Sequence, residues 1–225
     1  MSTSANEHFV PRAIVFDLLT ALLDSWTLWD ASTPTGTAAE GRRWRERYLE
    51  LTFGQGAYTL YAALVIQAAD DVGLPRSAPD SLLRDWPRLA AWPEVGEVLA
   101  RLRDKGYKLG VVTNCSAQGG RTAVENAENT VRGTVEGGFR FDAAVTAEES
   151  GFYKPVRQAN HAILPKLGVK ADEVLFVAGS NGDVEGAAEA GFKVVWHNKI
   201  GLPKRGETEP LREGITLQDA LKDFM

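Results

Sequence analysis

Short apolar runs alternate with amphipathic stretches along most of this chain. The run Ala13-Ile14-Val15-Phe16 is bounded by polar residues and is too short for a helix. It predicts a buried strand with Asp17 at its C-terminal end. An amphipathic stretch over 94–105, opened by Pro93 and closed by Gly106, predicts a helix, and Lys108-Leu109-Gly110-Val111-Val112 a second strand. Further strands are expected at Ala143-Ala144-Val145, Val174-Leu175-Phe176-Val177-Ala178 and, as the last, Lys193-Val194-Val195-Trp196. Helices near 121–131, 155–167 and 184–190 separate them, with Pro165 breaking or shortening the end of the second. Residues 198–214, rich in Pro, Gly and charge, read as loop, and Leu217, Leu221 and Phe224 predict a closing helix. This alternation implies an α/β fold, a doubly wound, Rossmann-like parallel sheet with helices on both faces.

One stretch breaks the alternation. From about residue 25 to 92 there is helical periodicity and no strand-like run, and Trp26, Trp29, Trp44, Trp86 and Trp92 all lie there. A separate helical insert fits: 25–92 as the insert, 1–24 and 93–225 as the α/β core. Its first helix is expected after the Thr33-Pro34-Thr35-Gly36 turn, covering Trp44, Tyr48 and Leu51. A second is expected over 58–69, and a short third is capped near Ser77 or Asp80-Ser81. At helical spacing Trp44 and Tyr48 read as packing between helices. Trp26 and Trp29, close after Asp17, read as the border of a pocket.

Composition narrows the function classes. The 225 residues carry a net charge of −5 and are 44% hydrophobic, enough for a packed core. No basic run stands apart from acidic neighbours, so neither nucleic acid nor an anionic membrane is an expected partner. The start, Met1-Ser2-Thr3-Ser4-Ala5-Asn6-Glu7-His8, is polar, and no apolar run reaches membrane-spanning length. A cytoplasmic location is expected. Cys115 is the one cysteine, so no internal disulfide forms, and no Cys/His cluster has zinc spacing. A lone thiol at a strand end is usually packing, and neither His8, His161 nor His197 sits in a partner motif that would activate it.

The reactive side chains collect where strands end. Asp17 follows the first strand, Thr113-Asn114-Cys115-Ser116 the second, and Gly179-Ser180-Asn181-Gly182-Asp183 the fourth, with Lys154 preceding the helix that leads to it. In a doubly wound sheet these ends face one crevice. Singly, each has a bland reading: a turn or capping aspartate, a helix cap, a surface lysine, a first-turn acid. Jointly they make a site. A carboxylate can attack an electrophilic centre to form an ester that water then hydrolyses. A neighbouring lysine keeps it ionised, Asp183 can position that lysine or take a proton from water, and Thr113, Asn114 and backbone N–H groups can hold an anion.

The order Asp, Ser/Thr, Lys, acidic motif resembles the haloacid dehalogenase superfamily over nearly the whole chain, and the insert resembles its helical cap. The resemblance implies a hydrolase with Asp17, Lys154 and Asp183 as catalytic residues. Leu18, Trp26, Thr113, Asn114, Ser116, Ser180 and Asn181 are assigned to a small carboxylic acid substrate. Most members are magnesium phosphotransferases with a second aspartate two residues after the first and an acid four residues before the last; here those positions are Leu19 and Gly179. The L-2-haloacid dehalogenases, which work without metal, are the nearer resemblance, through Lys154-Pro155, the Ser-Asn-x-Asp texture and Trp44-Arg45. No cofactor is expected, and a homodimer is implied.

Departures leave alternatives open. The arginine that cradles substrate and halide is expected shortly before Trp44-Arg45, where Gly36 stands, so Arg42 or Arg43 is the candidate substitute. The family threonine falls at Ala21, its tyrosine at Asn160, and its asparagine at Ser180 with Asn181 adjacent. These losses suggest a ring-opening hydrolase of azetidine-2-carboxylate, whose ammonium would meet aromatic faces such as Trp26 or Trp29. A magnesium phosphatase with residual metal binding at Asp17 and Asp183, and a catalytically degenerate binding protein, complete the alternatives.

Overall fold

Strands β1 (Ala13–Phe16), β2 (Lys108–Thr113), β3 (Ala143–Thr146), β4 (Val174–Ala178), β5 (Lys193–His197) and β6 (Arg212–Gly214) form one parallel sheet in the order β3-β2-β1-β4-β5-β6. The structure is a computed structural model describing residues 9–131 and 138–225. The polar start read from the sequence, residues 1–8, lies outside the described residues. Both faces of the sheet are covered, as an apolar run with no polar alternation requires. In β1, Ile14 and Phe16 join one apolar cluster while Ala13 and Val15 join the other.

Four helices fill the insertion after β1: α1 (Ser25–Ala31), α2 (Ala38–Gln55), α3 (Tyr61–Asp71) and α4 (Ser77–Asp85), closed by a 3-10 turn at Trp86–Arg88. The core continues with α5 (Val95–Asp104), α6 (Ala117–Glu128), α7 (Ala147–Ser150), α8 (Arg157–His161), α9 (Leu164–Leu167), α10 (Asn181–Glu189) and α11 (Leu217–Ala220). Trp29, Trp44, Tyr48, Leu64 and Val65 of the insertion share one apolar cluster with Ile14, Phe16 and Leu22. The insertion therefore shares the apolar core of the sheet's helices and strands. Among the described residues, no helix is long and apolar enough to cross a membrane.

Four expectations change, each for a local reason. A short helix, α1, precedes the one expected after residue 36, because the Asp24 side chain accepts from Thr27 N–H and caps it. α6 begins at Ala117 rather than near 121, because Ser116 Oγ accepts from Gly119 N–H. The helix expected over 155–167 is two pieces, α8 and α9, with Pro165 in the first turn of the second. Inside the expected loop 198–214, Arg212–Gly214 adds a sixth strand, so β5 is not the last. Arg-Glu-Gly has no apolar alternation to announce it.

Candidate active site

β1 lies between β2 and β4, so the connections leaving its two sides diverge and open a crevice beyond the carboxyl ends. Asp17 stands one residue past β1, Asn114 one past β2, and Asp183 in the first turn of α10 after β4. Lys154 enters from the loop before α8 and meets both carboxylates: Nζ is 2.8 Å from Asp17 Oδ1 and 2.9 Å from Asp183 Oδ1. All three side chains are buried. Asn114 fixes the lysine's backbone from both sides, its Oδ1 accepting from Lys154 N–H at 2.7 Å and its Nδ2 donating to Lys154 C=O at 3.0 Å.

A tight turn holds the other oxygen of Asp17. Oδ2 accepts from Thr20 Oγ1 (2.6 Å), Thr20 N–H (2.9 Å) and Ala21 N–H (3.3 Å). Asp183 Oδ2 accepts from Ser180 Oγ at 2.8 Å. The turn lies directly on Gly179, where an added Cβ would come within 2.2 Å of Thr20 Oγ1 and 2.3 Å of Ala21 N. Only glycine leaves room for it.

Charge and burial divide the two carboxyls. Burial alone would raise Asp17, but the Lys154 ammonium and the Thr20 hydrogen bonds outweigh it and hold the carboxyl below its ordinary value. Asp183, with fewer donors, stays above its ordinary value through burial, despite Lys154 and with the Asp17 charge adding to the rise. Lys154 is pushed down by burial but up, in balance, by the carboxylates of Asp17 and Asp183. Its folded value lies above the ordinary 10.5, so the ammonium stabilises the fold in full below pH 10.5 and loses that contribution as pH rises through the folded value. Removing it leaves two buried carboxylates without a partner, at a cost of roughly 3–5 kcal/mol. Lys154→Met is thus expected to melt well below the wild type. Denaturation curves at rising pH check the sign: the gap stays constant from neutral pH to pH 10.5 and narrows above it.

Above this pair sits a cavity of about 30 Å³ lined by Asp17, Leu19, Thr20, Arg45, Tyr48, Leu49, Phe53, Asn114, Ser180 and Asp183. Arg45 is its unexpected wall. The residue is 2% exposed, its guanidinium lies 4.4 Å from the Trp26 ring centroid and 5.4 Å from that of Trp29, and among the described residues Nε and Nη1 have no hydrogen-bond partner. A buried cation with free donors facing a small cavity is matched to an anion. Leu49 and Phe53 also line a second, outer cleft of about 70 Å³ with Trp26, Glu46, Glu50, Asn181 and Arg205. The Phe53 ring rests on Gly182, where a Cβ would approach it to 2.2 Å.

Several expected site residues lie elsewhere. Leu18 is fully buried in the apolar cluster, and its neighbour Leu19 lines the cavity instead. Thr113 lines a different cavity, with Arg121 and Arg140. Ser116 is spent capping α6, and Asn181 and Trp26 border the outer cleft. Trp29 packs on Trp44 at 4.5 Å, whereas Tyr48, read as packing alone, reaches the cavity and donates to Asn114 C=O at 3.0 Å. Arg42 and Arg43 are exposed; the arginine that lines the cavity is Arg45. Arg45 and Thr20 were both missed as site residues. The signal for Arg45 was a charged residue one position after a buried Trp on the apolar stripe of α2, and for Thr20 a hydroxyl three residues after the aspartate.

The family model described as haloacid dehalogenase-like hydrolase matches residues 14–197. The chain belongs to this family. Among curated members, it is 27% identical over 220 residues to (S)-2-haloacid dehalogenase 4A of Burkholderia cepacia, covering 91% of this chain and 90% of that protein. It is 30% identical over 205 residues to the (S)-2-haloacid dehalogenase of Xanthobacter autotrophicus, covering 81% and 73%. A solved L-2-haloacid dehalogenase superposes with a TM-score of 0.79 at 26% identity, over 95% of this chain and 98% of the other.

This haloacid dehalogenase-like hydrolase does not fit the magnesium ion of the superfamily's phosphotransferases. Magnesium takes six oxygens at short range. Here Lys154 occupies both carboxylates, the Leu19 side chain offers no oxygen and its carbonyl accepts from Ser25 Oγ, and the turn at Thr20 and Ala21 fills the space any side chain at 179 would need.

Proposed function

We propose that this hydrolase displaces a halide from carbon 2 of a small 2-haloalkanoic acid, with Asp17 as nucleophile and without metal. The observation carrying the reading is a pair of opposite charges in one small cavity, the Asp17 carboxylate and the Arg45 guanidinium, whose Nε and Nη1 have no hydrogen-bond partner among the described residues. A carboxylate oxygen of Asp17 attacks C2 from the side opposite the halogen; the C–O bond forms as the C–X bond breaks, and halide leaves with the bonding pair. Arg45 meets negative charge, in the substrate carboxylate or the departing halide. Water then attacks the Asp17 ester carbonyl, gives up its proton toward Asp183, and frees a 2-hydroxy acid inverted at C2. Thr20, Ala21 and Lys154 keep Asp17 ionised between turnovers, and Asn114 holds Lys154 in place. Residues 25–92 act as a cap over this core.

The azetidine alternative rests on the loss of the family's arginine, threonine, tyrosine and asparagine; Arg45 in the cavity offsets the first, and Ala21, Asn160 and Ser180 stand as departures. An unpaired guanidinium in the cavity also repels a cationic leaving group. The test is product release from each enantiomer of 2-chloropropionate, from L-azetidine-2-carboxylate and from an aryl phosphate, each with and without EDTA. EDTA-insensitive chloride release supports the reading. Phosphate alone, and only with Mg²⁺, overturns it.

Cavity size sets the chain length accepted. Phe53 and Leu49 wall the cavity off from the outer cleft, so Phe53→Ala is expected to join the two spaces. Relative kcat/KM for 2-chlorohexanoate over 2-chloropropionate then rises by about tenfold or more, since its three extra methylenes gain apolar surroundings. Competition between the two acids measures it.

A further inference from the structure

Behind the turn that carries Asp17, four side chains form a unit that the proposed reaction does not use. Trp92 Nε1–H donates to Thr20 C=O at 3.1 Å, and His197 Nδ1 lies 2.8 Å from Ala21 C=O. A carbonyl can only accept, so His197 carries its proton on Nδ1. His197 is fully buried, and its Nε2 is 3.6 Å from Glu94 Oε1. Glu94 Oε1 in turn meets Lys199 Nζ at 2.9 Å, and that ammonium lies 5.4 Å from the Trp92 ring centroid. The same stretch grips the turn by its backbone, through Trp92 N–H to Leu22 C=O at 3.0 Å and Asp24 N–H to Ala90 C=O at 2.8 Å.

We propose that Trp92 and His197 are positioning residues for Asp17: Trp92 holds the Thr20 carbonyl so that the opposite N–H, that of Ala21, stays aimed at the carboxylate, and His197 holds the next carbonyl so that the turn keeps its place. The Thr20 carbonyl and the Ala21 N–H belong to one peptide plane, and in a trans peptide they point opposite ways. Trp92 bonds one side of that plane and Asp17 Oδ2 the other. Anchoring the carbonyl fixes the N–H direction and polarises it as a donor. His197 fixes the next plane, whose N–H, that of Leu22, closes the turn on Leu18 C=O at 3.3 Å, so the turn cannot roll away from Gly179. The proposal rests on Asp17 as the reacting carboxylate.

Three variants of the full chain test it: Trp92→Phe, which keeps the ring and loses the N–H; His197→Leu, which loses the donor; and His197→Asn, whose Nδ2 can replace Nδ1. Without substrate, NMR follows the Ala21 amide proton and the Asp17 carboxyl titration. In Trp92→Phe the amide moves upfield and the carboxyl titrates higher than in the wild type. With 2-chloropropionate, Trp92→Phe and His197→Leu lower kcat about tenfold with KM unchanged, and His197→Asn recovers most of the loss. An unmoved amide and titration in folded Trp92→Phe, or His197→Asn no better than His197→Leu, overturns the proposal. A wild type that releases no halide, with the Trp92→Phe titration still shifted, overturns the functional reading and leaves the positioning role standing.

Discussion

Asp17→Asn is expected to fold and to lose turnover of 2-haloacids by at least about 10³-fold, because an amide cannot form the ester on which both steps depend. The fold survives because Lys154 keeps a carboxylate partner in Asp183 at 2.9 Å and Thr20 still finds an oxygen at position 17. The mechanism leaves an isotopic mark. With enzyme in excess over substrate in ¹⁸O-water, the hydroxyl of the product derives from the protein, and the heavy atom enters the Asp17 carboxylate. Mass spectrometry of the peptide containing Asp17 should gain two mass units, and the first-turnover product should gain none. Label in the product instead would mean that water attacks C2 directly and that Asp17 serves as a base.

Arg45→Met should separate stability from activity. The guanidinium is buried with two nitrogens unpartnered among the described residues, and burial depresses its pKa. Desolvating such a charge costs several kcal/mol that no ion pair repays. An unbranched apolar side chain of similar length keeps the contacts with Trp26 and Trp29 and removes the charge. The melting temperature is expected to rise by about 2–4 °C. At the same time kcat/KM falls about 10²-fold or more, since among the described residues no other cation lines the cavity. Scanning calorimetry with and without 2-hydroxypropionate checks both halves: the acid raises the wild-type melting point by mass action and leaves Arg45→Met unmoved. A variant that melts lower and still binds the acid would show that Arg45 is a packing residue.

These two residues also differ in how far the sequence alone exposes them. Asp17 was legible because β1 is a short apolar run, and a polar residue at the end of such a strand must emerge at the sheet's carboxyl edge. The same logic recovered Lys154 and Asp183, whose positions relative to β4 follow from the alternation of strand and helix. Arg45 was hidden by its surroundings in sequence. It sits in Arg42-Arg43-Trp44-Arg45-Glu46-Arg47, a charged stretch that reads as the solvated face of a helix.

The parallel sheet, the helical insertion after β1 and the three charged groups that meet in the crevice are all readable from local pattern, because hydrophobic period and strand polarity are local properties. Which side chains face the cavity depends on packing between elements far apart in the chain. The rotation of α2 about its axis turns Arg45 and Tyr48 inward and leaves Arg42 and Arg43 outside, and that rotation is set by how Trp44 packs on Trp29. The direction of each loop side chain is likewise set by partners far away in the chain: Asn114 is claimed by Lys154, and the Thr20 turn by Trp92 and His197. Such partners lie 40, 72 and 176 residues from the atoms they hold, beyond the reach of any pattern read along the chain.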